Sequence, residues 1–377
     1  MKTAIRALIF ATVVCVTTLL PAAVHAQPSV PPGCELGVLP HGALSLICVP
    51  PAGWNGQLVV FAHGYVPAAN PKLDFYHLSL PDGTPIPALV EGLGYAFATT
   101  TYRKNGLAIL EGVEDLKELV RAFADTHSVP LRTHVAGVSE GGLVTALLAE
   151  RSPDLFTSAL AACAPIGSFQ GQIDYIGDFR VLFDYFFPGV IPGTAISVPV
   201  EVMANWETKY VPRIVAALQA HPSEAAQLIR VSHAPTDPAD PTTIGKTTLD
   251  LLWYSAFATN DAIQALGGNA YENRLRLYFG SANDLRLNLR VQRFGASRAA
   301  RAAVRPYETS GQLSIPLVTL HTTADDVIPF AHELFYLAKA DVFNRGKFIP
   351  LPLFRYGHCS FMANEVLIAF LAAVSQP

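Results

Sequence analysis

The sequence predicts an α/β fold: a mostly parallel central sheet with helices on both faces, interrupted by a mainly helical insertion. Two observations predict it. Short apolar runs alternate with amphipathic stretches in the order strand, helix, strand. The alternation then stops for roughly 140 residues, too long for a loop in a compact domain, before it resumes. Composition agrees: of 377 residues, 51% are hydrophobic and 15% charged. That is enough apolar material for a large core, and it excludes a disordered chain, a coiled coil or a disulfide-dominated miniprotein. Lys and Arg number 26 against 30 Asp and Glu, so no basic excess attracts phosphate backbones and nucleic acid is not an expected partner. Beyond the N-terminus no run approaches the ~20 apolar residues that a spanning helix needs. Stable membrane insertion is therefore not expected.

The first residues read as an address. Lys2 and Arg6 precede an apolar stretch over 7–20, and Val24-His25-Ala26 supplies a small-x-small cleavage pattern before Gln27. Residues 1–26 are expected to be a secretory signal peptide, which implies a secreted or periplasmic protein. Cys15 leaves with it, so Cys34, Cys48, Cys163 and Cys359 remain. An even number in an exported chain favours disulfides. Three connectivities are open. Cys34 with Cys48 would staple a Pro- and Gly-rich start, leaving Cys163 with Cys359, for which buried free thiols are the alternative.

Gln57–Ala62 is a near-continuous apolar run ending at His63-Gly64, as in a central strand buried on both faces. A helix is expected over 85–94 and a second buried strand over 95–100. Residues 112–127 carry apolar side chains at helical spacing with charges between them. A strand over 133–137, a helix over 141–150 and a strand over 158–164 follow. From 168 to 311 the pattern is helical and aromatic, read as a cap or lid. After it come a strand over 317–320, a helix over 330–339, a strand over 351–356 and a closing helix over 364–374. Residues 27–167 and 312–377 are thus expected to form one catalytic domain around the cap at 168–311.

The chemistry centres on Gly137-Val138-Ser139-Glu140-Gly141, which stands between a strand and a helix. G-x-S-x-G alone is a weak signal. In that context it marks a sharp turn whose small flanking residues let the serine backbone take a strained conformation and project its hydroxyl. A serine needs a base, and the base an acid that fixes its tautomer. Both lie downstream. After the strand over 317–320 comes His321-Thr322-Thr323-Ala324-Asp325-Asp326-Val327-Ile328-Pro329, and after the next strand Tyr356-Gly357-His358-Cys359-Ser360-Phe361. Loops that follow parallel strands emerge at one edge of the sheet, so Ser139, Asp325 and His358 can converge. His134 and His321 sit in strands and read as core or supporting residues.

These segments, in this order, resemble the α/β-hydrolase superfamily over the whole mature chain except the cap. The resemblance implies a Ser-Asp-His triad. Its acid commonly stands four residues before the proline of a D-x-V-x-P-like segment, which selects Asp325, with Asp326 as the alternative. It also implies that His63-Gly64-Tyr65-Val66 is the oxyanion segment. The backbone N–H groups of Tyr65 and Glu140 would then stabilise the tetrahedral intermediate by ~3–4 kcal/mol each, with His63 holding the loop. Cys359 beside His358 resembles the strategy of tannase- and feruloyl-esterase-like enzymes, which tie the histidine loop by a neighbouring cysteine. In those enzymes the partner directly precedes the serine, a place held here by Val138.

The expected function is that of a secreted serine hydrolase cleaving carboxylic esters of small-molecule or polymeric substrates, with an apolar or aromatic preference. Tyr65, Phe183, Phe186, Trp206 and Trp253 are the expected substrate contacts. For the four cap aromatics the alternative is the cap's own core. A prolyl-oligopeptidase-like peptidase is the runner-up, although the β-rich N-terminal domain usual there has no room before Gln57. A non-catalytic binding protein on the same fold is a third reading. No metal-ligand set of usable spacing and no Gly-rich phosphate loop is present, and the chemistry needs no cofactor.

Overall fold

The structure, a computed structural model, describes residues 33–343 and 346–376, so the leader read at 1–26 lies outside the described residues. The chain opens with a hairpin of β1 (Cys34–Val38) and β2 (Leu44–Cys48). It continues through β3 (Gln57–Ala62), α1 (Ile86–Gly92), β4 (Ala96–Thr100), α2 (Ile109–Thr126), β5 (Arg132–Val138), α3 (Glu140–Arg151) and β6 (Ser158–Ala162). The helical stretch holds α4 (Phe169–Phe186), α5 (Val200–Ala204), α6 (Val211–Ala220), α7 (Pro222–Ser232), α8 (Thr243–Ala265), α9 (Asp284–Arg290) and α10 (Arg298–Val304). The strand and helix alternation returns with β7 (Leu317–Ala324), α11 (Ala331–Phe343), β8 (Phe348–Tyr356) and α12 (Ala363–Val374).

The strands form one eight-stranded sheet in the order β1-β2-β4-β3-β5-β6-β7-β8. From β4 through β8 all neighbours run parallel, while β1 and β2 pair antiparallel with each other and β2 with β4. The period of two along β3 explains why both faces need cover. Leu58, Val60 and Ala62 point into a core shared with α2 and α3. Val59 and Phe61 point into the opposite core, shared with Val90 of α1 and Phe370 of α12. Along α2, Leu116, Leu119, Val120 and Phe123 supply the buried stripe at the spacing expected of an amphipathic helix.

The β1–β2 hairpin stands in the Pro- and Gly-rich start, where the sequence reading placed no strand. Cys34 faces Cys48 directly across the two strands, and the two are bonded. Leu39 and Ala43 close the turn, with Gly42 at a φ of 88°, a left-handed conformation that glycine adopts without steric cost.

Between β6 and β7 the described residues form helices and loops with an apolar core of their own. Phe179, Phe183, Trp206, Leu228 and Leu251 are buried in it. A short π-helical turn at Trp206–Tyr210 joins α5 to α6. No helix among the described residues is long and apolar enough to cross a membrane.

Candidate active site

Because β3, β5, β6, β7 and β8 run parallel, the segments that follow them share one edge of the sheet. Ser139 directly follows β5 at φ 57° and ψ −120°, a conformation that costs a non-glycine residue energy and aims its side chain outward. Both flanking glycines are required by close approach. A Cβ on Gly137 would lie 2.2 Å from the Gly141 carbonyl oxygen, and one on Gly141 would lie 2.1 Å from that of Ala62. The Ser139 N–H donates to the Ala162 carbonyl of β6 at 2.9 Å, which fixes the turn.

His358 follows β8, and its Nε2 stands 3.0 Å from the Ser139 Oγ. Its Nδ1 lies 2.8 Å from Asp325 Oδ2, so with the tautomer protonated at Nδ1 that N–H donates to the carboxylate and Nε2 is left to accept from the serine. Asp325 is fully buried after β7, and its Oδ1 accepts the backbone N–H groups of Val327 at 3.0 Å and Ile328 at 2.8 Å. Burial alone would raise this carboxyl. The charge of His358 and the hydrogen bond and charge of His321 outweigh it and hold Asp325 well below the usual carboxylate range.

Behind Asp325, His321 donates from Nε2 to the Ile328 carbonyl at 2.9 Å and meets Glu333 at 3.0 Å through Nδ1. Burial pulls this imidazole down, yet hydrogen bonds to Asp325 and Glu333 prevail and push it up to about 10. The imidazole thus lies buried between the carboxylates of Asp325 and Glu333. Asp326 serves the backbone of the same loop: its Oδ1 accepts the His358 N–H at 3.0 Å and its Oδ2 the Tyr356 hydroxyl at 3.1 Å. Burial pushes its carboxyl up to about 6. Of the two neighbouring aspartates, Asp325 alone meets the imidazole.

The histidine loop is clasped from the side. Cys359 is bonded to Cys163, just beyond β6, with both residues at positive φ. The structure pairs the four cysteines among the described residues as Cys34–Cys48 and Cys163–Cys359. Among the described residues, two groups of side chains converge as metal ligands could, and each uses the sulfurs of one of these bridges, which are not thiolates.

A serine turn after the fifth strand, an acid after the seventh and a histidine after the eighth, on a sheet of this order, decide the architecture. The chain has the α/β-hydrolase fold. No protein-family model matches it, and no curated protein does. Among solved structures it is similar to an esterase from Pyrococcus furiosus, at 12% identity and a TM-score of 0.44 over 90% of this chain and 89% of that one. It is also similar to a proline iminopeptidase from Mycobacterium smegmatis, at 13% and 0.43 over 89% and 97%. The acylaminoacyl peptidase of Pyrococcus horikoshii gives 13% and 0.46 over 90% of this chain, which spans only 41% of that one. At such values the fold is read from this chain's own sheet and not from theirs.

In this α/β-hydrolase fold the segment after β3 runs beside the Ser139 turn, where a Cβ on Gly64 would lie 3.4 Å from that of Ser139. Neither the Tyr65 nor the Glu140 backbone N–H has an acceptor among the described residues. His63 stiffens the segment: its Nδ1 bonds the Gly64 carbonyl at 2.7 Å, and its ring stacks on Tyr102 at 4.0 Å. The Glu140 carboxylate is buried and accepts the Ala108 N–H at 2.7 Å. Burial pushes it up to about 8.

Two cavities meet at Ser139 and share Tyr65 and Tyr254 in their walls. One, of about 140 Å³, lies against α4 and α8. The other, of about 370 Å³, passes His358 and His77 and extends over the sheet between α1 and α12.

The cap aromatics require a correction. Phe183, Phe186, Trp206 and Trp253 line neither cavity. Phe183 stacks on Phe187 and Trp206 packs against Phe257, both inside the insertion's own core, while Phe186 packs on Tyr185 at its margin. Trp253 stacks on Phe257 and meets Tyr65 edge-on at 6.2 Å, so it braces that tyrosine from behind. Tyr65 lines both cavities, and its hydroxyl donates to the Phe257 carbonyl of α8 at 3.1 Å. The aromatic that reaches Ser139 from the insertion is Tyr254. Burial and the charge of Asp325 raise its phenol, while a hydrogen bond with Ser139 works the other way. The sequence does hold a signal for it: Tyr254, Ala258 and Ala262, at i, i+4 and i+8, form the α8 stripe that faces the cavity.

Proposed function

We propose that the protein is an exported serine hydrolase that cleaves carboxylic esters of apolar or aromatic substrates through an acyl-enzyme. The observation that carries this reading is the continuous relay from Ser139 Oγ through His358 to Asp325, at 3.0 Å and 2.8 Å, mounted on a strained strand-to-helix turn. Ser139 Oγ attacks the ester carbonyl as its proton passes to His358 Nε2. Asp325 holds the imidazole in the receptive tautomer and stabilises the imidazolium. The developing oxyanion is received by the free N–H groups of Tyr65 and Glu140. His358 then gives the proton to the leaving alkoxide, and a water activated by the same histidine releases the acid. The apolar walls of both cavities support an apolar substrate. Export is supported by the leader pattern at 1–26 and by two disulfides, which persist in oxidising compartments.

The test is a panel of p-nitrophenyl esters, a feruloyl ester, a polyester film and peptide substrates, run with wild type and Ser139→Ala. Ester turnover that disappears in the variant supports the proposal. Turnover that survives, or cleavage of peptides alone, sinks it.

A further inference from the structure

The two cavities differ in one respect that bears on how an ester would lie. His358, with its neighbour Cys359, lines the larger cavity and is absent from the walls of the smaller. The smaller cavity is bounded instead by Glu140, the residue after the nucleophile, and by Ile173, Ile176, Ala258 and Ala262 of the insertion. The larger one exists because α1, of 7 residues, and α12 leave part of the sheet bare between them. Phe97 of β4 and Leu160 of β6 form its floor, and Leu89 and Val366 its sides.

We infer that the larger cavity on the sheet face receives the alcohol half of the ester and the smaller cavity under the insertion the acyl half. The preferred substrates are then esters of a bulky apolar alcohol with a comparatively short acyl chain. This rests on the ester-hydrolase reading above.

The argument follows the proton. When the tetrahedral intermediate collapses, the bond between the carbonyl carbon and the alcohol oxygen breaks, and that oxygen takes the proton from His358 Nε2. The acyl carbon stays bonded to Ser139 Oγ. The leaving oxygen must lie within hydrogen-bond reach of Nε2, so the group attached to it extends on the side that His358 faces, where about 370 Å³ is open. The acyl chain, tethered to Oγ with its oxygen turned to Tyr65 and Glu140, has the cavity of about 140 Å³ beside Glu140. Once the alcohol departs, the same large cavity brings water to His358 for the second step.

Two substrate series separate the halves: p-nitrophenyl esters from acetyl to palmitoyl, and acetates of alcohols from methyl to decyl and naphthylmethyl. For wild type, kcat/KM is expected to rise at least tenfold from methyl to the larger alcohols, and to fall at least tenfold from the best short acyl chain to palmitoyl. Leu89→Trp and, independently, Val366→Phe narrow the sheet-face cavity and should abolish the rise along the alcohol series without shifting the acyl optimum. Ala262→Phe should move the acyl optimum to shorter chains and leave the order of alcohols as it is. If the sheet-face variants that keep a wild-type melting temperature shift the acyl optimum instead, or move neither series, the assignment is wrong. If wild type hydrolyses neither series, or hydrolysis survives Ser139→Ala, the ester reading itself falls and this inference with it.

Discussion

Asp325 and Asp326 are chain neighbours given opposite tasks by one loop. Asp325 Oδ2 accepts the imidazole proton, whereas Asp326 Oδ1 accepts only the His358 backbone N–H. Asp325→Asn keeps an oxygen for the Val327 and Ile328 amides but turns the imidazole to the wrong tautomer. Its kcat on a p-nitrophenyl ester should fall on the order of 10³–10⁴-fold with KM little changed. Asp326→Asn retains an acceptor for the same amide and should cost no more than about tenfold. Equal losses in the two variants would count against these roles. Glu140 makes a prediction of the opposite kind, in stability. Burial raises its carboxyl from 4.5 to about 8, so the folded state binds a proton that the unfolded chain has already released. Its contribution is fully present below pH 4.5 and lost as pH rises through 8. Glu140→Gln should therefore flatten the fall in melting temperature across that window, and parallel curves for the two proteins would exclude Glu140 as the source. At this scale Ser139, Asp325 and His358 were legible because each sits in a motif with a defined place after a strand. Tyr254 was legible only as part of a helical stripe with Ala258 and Ala262; that this stripe meets Ser139 depends on how α8 docks.

The elements divide along the same line. The parallel strands were legible because burial on both faces makes them continuous apolar runs, as at Gln57–Ala62. The hairpin was missed because Leu36 and Val38 of β1 are apolar but exposed, which blurs the alternation that marks a half-buried strand. The Cys163–Cys359 bridge joins the end of β6 to the loop after β8, so its removal acts on geometry as well as on stability. A Cys163→Ser/Cys359→Ser double variant should lose ~3–5 kcal/mol of stability by denaturant unfolding and roughly tenfold in kcat through a looser His358. Removing the Cys34–Cys48 staple should cost ~2–3 kcal/mol and leave kcat untouched, because the hairpin lies at the far edge of the sheet from the site. A kcat that falls equally in both pairs would deny the second bridge any positioning role.

For the whole molecule, the high apolar content is shared among two faces of one sheet and a second core in the insertion. How the insertion's helices pack was illegible, because its aromatics recur at helical spacing whether they face a ligand or one another. Phe183 stacks on Phe187 and Trp206 packs against Phe257, and neither lines the cavities. If residues 1–26 act as the proposed leader, expression of the full chain in a bacterial host should yield an exported chain that begins at Gln27 and, denatured without reductant, offers no titratable thiol. N-terminal sequencing and thiol titration check both points, and two free thiols per chain would remove the second bridge.

That bridge also sets the covalent topology. Residues 163–359 form a closed ring that contains the whole helical insertion, with Asp325 and His358 inside it and Ser139 on the tail outside. A protease that nicks an exposed loop of the insertion therefore does not release a fragment. The clipped molecule should run as one band on a non-reducing gel and as two after reduction, with Ser139 on one piece and His358 on the other.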